Sequence, residues 1–494
     1  MNRPFDGAHY KALLKGLDIS VLKLSEVVAS SPTFRIDNQF FRKEFLVCDL
    51  GAPITSVGDA CVVRSGTTPP DRDDDLRSGV VLLKTDNIRN SVLPSSVIEG
   101  EFYYITDELS AEMKDTVLQP QDVLINIVGA STDVIGRVAY VPEDFPKANI
   151  TQAMALMRVG DKRINSAYLF SFLAGRYGHK QVRRIARPTG QYNMNLPEVR
   201  SLNVPILGRD VQSKIQELVN ESYVSVSSGR EATKGAEEIL LSTLGLDNWK
   251  PPEPLTYTRY ASDVFIAGRF DAEYFQPIYE ALFAKFRAMG SVRLGSVVTE
   301  RIRRGISPQY VEGGDMLVVN SQHVGATEVE LSENRYTSSS LIENDTDGQA
   351  KGVIRKGDVL LNSTGRVTIG RCQCLLMDVQ AVADNHVAII RPDDQLDPVY
   401  LACFLNSRAG LMQTEQGYSG SSGQIELRPD VVADYVVWKA PKPIQLEIRK
   451  KIEMAHVARN RGHALLEQAK RAVEIAIEES ESAALKYLSE HGEK

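Results

Sequence analysis

Two stretches of this chain place apolar residues every three or four positions on an otherwise polar background. In the first, Val211, Ile215, Leu218, Ser222 and Val226 recur at that spacing; in the second, Ile444, Ile448, Ile452, Ala455, Leu465, Ala469, Ala472 and Ala476 do so. A helical period turns such spacing into one narrow apolar stripe. The pattern predicts helices from about Arg209 to Leu244 and from about Lys442 to Tyr487. A helix of ~36 residues extends ~54 Å at ~1.5 Å per residue. A helix that long with a stripe that narrow does not wrap a globular core. It seeks another helix, as in a coiled coil, and the two are expected to pack on each other. The alternative is two independent helices, each closing its own domain.

Ahead of each long helix the pattern changes to short β-branched runs broken by turn residues, which read as strands. These are Gly79 to Leu83, Asp122 to Val128, Arg137 to Val141 and Ala153 to Val159. Later come Met316 to Val319, Asp358 to Leu361, Arg371 to Leu376 and His386 to Ile390. A short helix follows each set, Ala167 to Gly175 and Pro398 to Leu405, and an aromatic-bearing helix opens each. Gly245 ends the first long helix, and Asp247 to Thr256, with Pro251, Pro252 and Pro254, reads as an extended linker.

The two sets are one pattern written twice. Arg35-Ile36-Asp37-Asn38-Gln39-Phe40-Phe41 matches Arg269-Phe270-Asp271-Ala272-Glu273-Tyr274-Phe275, at 271 − 37 = 234. Lys84 to Ile88 aligns with Asn320 to Val324, at 324 − 88 = 236, and Asp122 to Asn126 with Asp358 to Asn362, at 362 − 126 = 236. Gly129 with Ile135-Gly136-Arg137 returns as Gly365 with Ile369-Gly370-Arg371, two residues shorter. Tyr168-Leu169 returns as Tyr400-Leu401, Gly190-Gln191 as Gly423-Gln424, and Val211, Ile215 and Val219 as Ile444, Ile448 and Ile452. A period of about 235 residues is domain-sized, which makes a tandem pair rather than a solenoid. The fold class expected is α+β: a tandem duplication of two mixed α/β domains separated by two long helices forming an antiparallel coiled coil.

Composition is that of an ordinary globular chain of 494 residues, 43% hydrophobic and 24% charged. The N-terminus shows no secretory pattern, and no window approaches the ~18–20 apolar residues that span a bilayer. The five cysteines, Cys48, Cys61, Cys372, Cys374 and Cys403, have no metal spacing. Such a set suits reduced thiols and a cytoplasmic location. A net charge of −7 excludes coating of nucleic acid by bulk positive charge, not a local footprint. Part of the acidic surplus lies in the tail, at Glu474, Glu478, Glu479 and Glu481.

Catalytic signatures are missing: no phosphate-binding loop, no H-E-x-x-H, no G-x-S-x-G and no amino-methyltransferase tetrapeptide. Asn195-Leu196-Pro197-Glu198 lacks the aromatic that tetrapeptide needs. No metal site and no catalytic residue are expected. A β-rich enzyme using Asp122 or Asp358 as an acid is the weakest of the alternatives. His386, heading an apolar strand, reads as a structural histidine, and His323 as a hydrogen-bonding surface position.

Basic and amide-bearing loops do stand out. His179 to Arg187 (H-K-Q-V-R-R-I-A-R) carries four cations and no acid, and Pro188 to Asn195 follows it. Arg301, Arg303 and Arg304 precede Gly305, where the first half has Arg64-Ser65-Gly66-Thr67-Thr68. Arginine and lysine neutralise phosphates, and Arg, Asn, Gln, Ser and Thr can read base edges. A solvated charged face is the alternative for any one cluster.

The chain resembles the specificity subunits of type I restriction–modification systems. The resemblance is carried by Leu124 to Arg137 (L-I-N-I-V-G-A-S-T-D-V-I-G-R) with Asn149-Ile150-Thr151-Gln152, and by Leu360 to Arg371 (L-L-N-S-T-G-R-V-T-I-G-R) with Asp384-Asn385-His386. The Gly-Gln turns near residues 190 and 423, and the helices opening at Val211-Gln212 and Ile444-Gln445, belong to it. It covers nearly the whole chain, including the duplication.

The resemblance implies a non-catalytic, cytoplasmic DNA-recognition subunit. Each of two target-recognition domains reads half of a split site in double-stranded DNA, and the long helices set their separation. Two methyltransferase (modification) subunits bind it and methylate adenine with S-adenosylmethionine, a cofactor of the partner and not of this chain. Motor–nuclease restriction subunits complete the forms that cut DNA. The division implied is 1–45, an N-terminal helical segment; 46–208, the first recognition domain; 209–247, the first spacer helix; 248–290, the Pro-rich linker and the helix opening the second repeat; 291–441, the second recognition domain; and 442–494, the second spacer helix with its acidic tail.

The DNA-binding residues expected in the first domain are Arg64, Thr67, Thr68, Lys84, Thr85, Asn87, Lys180, Arg183, Arg184, Arg187, Gln191, Tyr192 and Asn193. In the second they are Arg301, Arg303, Arg304, Asn320, Gln322, His323, Arg366, Ser421, Ser422 and Gln424. The alternative function is a scaffold or adaptor of a phage-defence methyltransferase complex that no longer reads sequence. The segment before Phe34 and the tail beyond Glu474 are candidates for docking a partner or for closing the pseudo-symmetric ring.

Overall fold

The computed structural model describes residues 12–15, 21–30, 35–42, 45, 53–69, 76, 78–94, 102–329, 331, 335–344, 350–365, 368–420 and 425–491. Contacts divide the chain into two units: Met1–Ser228 with Ala458–Lys494, and Gly229–Val457.

The first unit is built on a sheet whose strands lie in the order Cys61–Ser65, Met154–Val159, Val123–Asn126, Val138–Tyr140 and Ser91–Val92. A second sheet orders Tyr103–Ile105, Val80–Leu83 and Ala148–Ile150, the last two running parallel. The second unit repeats the plan. One sheet orders Arg303–Arg304, Val387–Ile390, Val359–Asn362 and Cys372–Cys374. The other orders Arg335–Thr337, Met316–Val319, Ala381–Ala383 and Val353–Ile354, with Met316–Val319 and Ala381–Ala383 again parallel. Asn126 pairs with Met154 and Asn362 with Val387, so even the register recurs.

Equivalent polar residues make the same bonds in each unit. Asp122 holds Arg158 through both carboxylate oxygens (2.8 and 2.7 Å), and Asp358 holds Arg391 likewise (2.8 and 3.1 Å). Both aspartates are buried. A buried pair of this kind is costly to break, because one partner is left charged and unpaired. The Tyr168 hydroxyl donates to the Pro205 carbonyl and that of Tyr400 to the Trp438 carbonyl. Arg35 grips Asp37, and Arg269 grips Asp271. That bond, in each copy, holds the aspartate below the usual carboxylate range.

The long helices are Arg209–Thr243 and Lys442–Glu478. They pair inside each unit. In the first, Val211, Ile215, Leu218 and Val219 share a core with Leu465, Leu466, Ala469, Ala472 and Val473. The Ser222 hydroxyl donates to the Gly462 carbonyl at 2.8 Å, while Gly208 donates to Glu481 at 2.9 Å. Rising numbers on one strand of this contact meet falling numbers on the other, which is antiparallel pairing. In the second unit Ala236 and Leu240 meet Ile448 and Ile452 in one core.

One glutamine per unit fastens the helix to its domain. Gln212 donates to the carbonyls of Arg163 and Leu207 and accepts from Asn165. Gln445 donates to Gln395 and Ala440 and accepts from Asp397. Both are buried with every amide function bonded.

Two expectations are corrected and one is refined. The second long helix stops at Glu478. Ser480 then caps a separate helix, Glu481–His491, whose Ala484 and Leu488 are buried. The aromatic box of each repeat is a single 3₁₀ turn, Gln39–Phe41 and Glu273–Phe275, and the aromatic-bearing helix expected at the opening of the second repeat follows it as Pro277–Ala288, with Tyr279 and Phe286 buried. The basic run from His179 lies not in a loop but on a helix, Arg176–Ile185, matched by Arg408–Gly417. That helix packs closely on the one before it: a Cβ at Gly178 or Gly410 would strike the backbone of Leu173 or Leu405.

Candidate nucleic-acid interface

In the first unit the strand ends at Ser65, Asn126 and Met154 lie together at one edge of the large sheet. Asn126 organises that edge. Fully buried, it donates to the carbonyls of Thr85 (2.9 Å) and Val134 (3.3 Å), which draws two loops together. The first loop is a turn over Thr85–Asn87, closed by a bond from the Lys84 N–H to Asn87 Oδ1 at 2.8 Å. The second, Ala130 to Val134, meets the Arg187–Asn193 hairpin. Tyr192 pairs with Gly129 and Asn193 with Val128, and Gly190 turns the hairpin at φ +80°. At the near end of Cys61–Ser65, Gly66 must be glycine, since a Cβ would occupy the position of the Ile150 carbonyl. Arg64, Thr67, Thr85, Asn87, Gln191, Tyr192 and Asn193 are thus carried by segments converging on one edge.

The second unit assembles the same edge. Buried Asn362 donates to the carbonyls of Ser321 (3.1 Å) and Val324 (2.9 Å). The turn beside it is closed by a bond from the Asn320 N–H to His323 Nδ1 at 3.0 Å. Gly305, like Gly66, abuts a carbonyl, here that of Ala383. Thr364, Ser419 and Glu426 bridge across the edge.

Several expected contacts have structural duties instead of open ends. Arg184 donates to the Phe40 carbonyl (3.0 Å) and lies over the Phe40 ring. Arg187 pairs with buried Glu198 at 2.5 Å. Arg304 binds the Glu426 carboxylate and the Leu427 carbonyl. Arg303 faces Glu300 at 3.5 Å, and Lys84 lies over the Tyr103 ring. His323 is buried, which corrects the surface position expected of it, and its Nδ1 is occupied by the turn. Asn320 likewise accepts from the Gln322 N–H.

Arg183 is exposed and pairs with exposed Asp133 at 3.1 Å. Arg64, Thr67, Gln191, Arg301 and Gln322 are exposed, and Thr68, Thr85, Tyr192 and Asn193 are half-buried. Lys180 sits half-buried on the helix Arg176–Ile185, one residue past His179. Burial, reinforced by Arg183, pushes the His179 imidazole below its usual range. Arg366, Ser421, Ser422 and Gln424 lie outside the described residues.

His386 heads the strand Val387–Ile390 as expected and is exposed, with Nδ1 on the Thr364 hydroxyl at 2.8 Å and its backbone N–H on Asp384 at 2.9 Å. Burial raises the Asp384 carboxyl above its ordinary value. The register puts Ala153 in the corresponding place. The acids Asp122 and Asp358 are tied up in arginine pairs and unavailable as catalytic acids. Among the described residues no group of His, Cys, Asp or Glu could hold a metal ion, and no helix is long and apolar enough to cross a membrane.

No family model matches this chain, and no curated protein does. Solved structures do resemble it. The likeness is to type I specificity subunits. The type I restriction-modification system S subunit from M. genitalium matches 88% of this chain with 95% of its own, at 12% identity and a TM-score of 0.35. The HsdS subunit from Thermoanaerobacter tengcongensis matches 87% with 97% of its own, at 15% identity and a TM-score of 0.27. A chain from a structural study of type I R-M complex assembly matches 87% with 98% of its own, at 14% identity and a TM-score of 0.27.

Proposed function

We propose that this chain is a non-catalytic DNA-specificity subunit that recognises a bipartite site and positions adenine methyltransferase subunits, with S-adenosylmethionine bound by the partner. One observation carries the reading. The two units spend equivalent residues on the same internal bonds, yet present different side chains at equivalent edges. Asn126 and Asn362, Gln212 and Gln445, and Asp122 and Asp358 are duplicated in identity and in bonding. Exposed Asp86 stands against exposed Gln322, and half-buried Ala153 against exposed His386. A frame kept constant while its edges vary is what two readers of two different half-sites require. Edge side chains with donors and acceptors discriminate base pairs in the major groove, while arginines at the rim bind phosphate.

The scaffold reading draws on the internal pairing of Arg184, Arg187 and Arg304 and on the net charge of −7. Methylome sequencing separates the two. A host carrying this gene with its methyltransferase gains a split methylated motif, and loses it when this gene alone is deleted. An unchanged methylome on deletion favours the scaffold.

A further inference from the structure

The second unit carries a polar pair where the first has an apolar one. At the edge tied by Asn362, the Thr364 hydroxyl meets His386 Nδ1 at 2.8 Å. The register that pairs Asn362 with Val387, and Asn126 with Met154, puts Val128 and Ala153 in those two places. The backbone is alike in both. The Ser363 N–H donates to the His386 carbonyl at 2.8 Å, and the Ile127 N–H to that of Ala153 at 2.9 Å. An unchanged frame thus holds two apolar side chains in one unit and a bonded hydroxyl and imidazole in the other. Both members of the polar pair are pinned. Thr364 bridges Glu426, whose carboxylate Arg304 binds, and the His386 backbone N–H donates to Asp384 at 2.9 Å. The imidazole is nonetheless exposed. Anchoring of this kind adds little stability to an exposed ring, but a recognition site needs it. Asp384 takes the backbone N–H and not the ring, so the three residues do not form a nucleophile–base–carboxylate relay.

We infer that His386 is a base-reading residue of the second unit, donating from Nε2 to a guanine in its half-site. The inference rests on the functional reading above. Among the described residues the Thr364 hydroxyl has no other acceptor, so its proton goes to Nδ1. The ring proton of the neutral imidazole then lies on Nε2, the atom left to meet a ligand. Guanine offers two acceptors, O6 and N7, and no donor at its major-groove edge. Adenine adds a donor, cytosine presents only a donor, and thymine sets a methyl group beside its acceptor. A single fixed N–H donor is therefore matched best by guanine. Val128 and Ala153 carry no side-chain donor, so the first unit has no equivalent contact.

The test measures binding of the full chain, assembled with its methyltransferase, to duplexes built on its methylated motif. Each duplex carries one of the four base pairs at one position of the second half-site. The unaltered assembly should prefer G·C at the position His386 reads by about tenfold, the worth of one such hydrogen bond. His386→Ala, which installs the residue the first unit has there, should remove that preference and leave every other position in both halves as it was. Thr364→Val keeps the imidazole but frees it to turn, and should weaken the preference at the same position alone. Either variant keeping every preference, or losing one for a pair other than G·C, would overturn the inference. Equal weakening on every duplex would place His386 at a phosphate and overturn it too. In each of these cases the functional reading stands. No sequence preference in the unaltered assembly would overturn both.

Discussion

His323 and Asn87 do the same work with different chemistry. The imidazole accepts the Asn320 N–H at Nδ1, and the carboxamide accepts the Lys84 N–H at Oδ1. Each closes the turn that Asn362 or Asn126 then ties to the sheet edge. His323→Asn is therefore expected to be tolerated. His323→Ala should destabilise by about 1–2 kcal/mol, from the lost turn bond and the cavity left in a buried position. Denaturant midpoints of the two variants measure the difference.

The buried aspartates should separate stability from recognition. Asp358→Ala leaves buried Arg391 to its second carboxylate partner, Glu300. A loss toward the lower end of the range of about 3–5 kcal/mol for a broken buried pair is expected, because Glu300 still compensates part of the charge. Asp122→Ala should cost less, because Arg158 is about one-third exposed and water can solvate it. Equal losses would contradict the role given to burial.

Acid should weaken the fold through His179. Its folded value lies below 6.5, chiefly from burial. The unfolded chain therefore takes up the proton first as pH falls. The histidine's contribution is fully present above 6.5 and is lost as pH drops from there toward the folded value. His179→Gln should show a smaller change in denaturant midpoint between about pH 7.5 and about pH 5 than the parent.

The basic run should split by residue. Arg184→Ala removes the cation over Phe40 and the bond to its carbonyl, and is expected to lower stability. Arg183→Ala removes only an exposed pair with Asp133, worth under about 1 kcal/mol. If Arg183 meets phosphate in the DNA complex, the same change weakens binding evenly across sequences and reduces the salt slope by about 1. Binding isotherms at several salt concentrations read both quantities.

What was legible in the sequence was periodic or repeated. The long helices follow from stripes such as Val211, Ile215 and Leu218, and the tandem plan from matches such as Asp122 to Asn126 with Asp358 to Asn362. What was not legible depends on partners distant along the chain. Arg304 looks like a free cation until the fold brings Glu426 to it, and Arg187 until Glu198 turns back on its helix. The helix Arg176–Ile185 escaped because only Gly178, Val182 and Ile185 of its residues are buried, too few to mark a stripe among so many charges. The end of the second long helix at Glu478 was hidden because Ala472, Ala476 and Ala484 keep the helical spacing across the break at Ser480.

The central claim is that each unit reads its own half of one site. The most direct measurement is the methylome of a host in which the edge of the first unit alone is altered, by exchanging Gln191, Tyr192 and Asn193 for alanine. The account predicts that one half of the bipartite methylated motif changes or becomes degenerate while the other half keeps its sequence. A motif unchanged in both halves, with the variant chain still assembled with its methyltransferase, would contradict it.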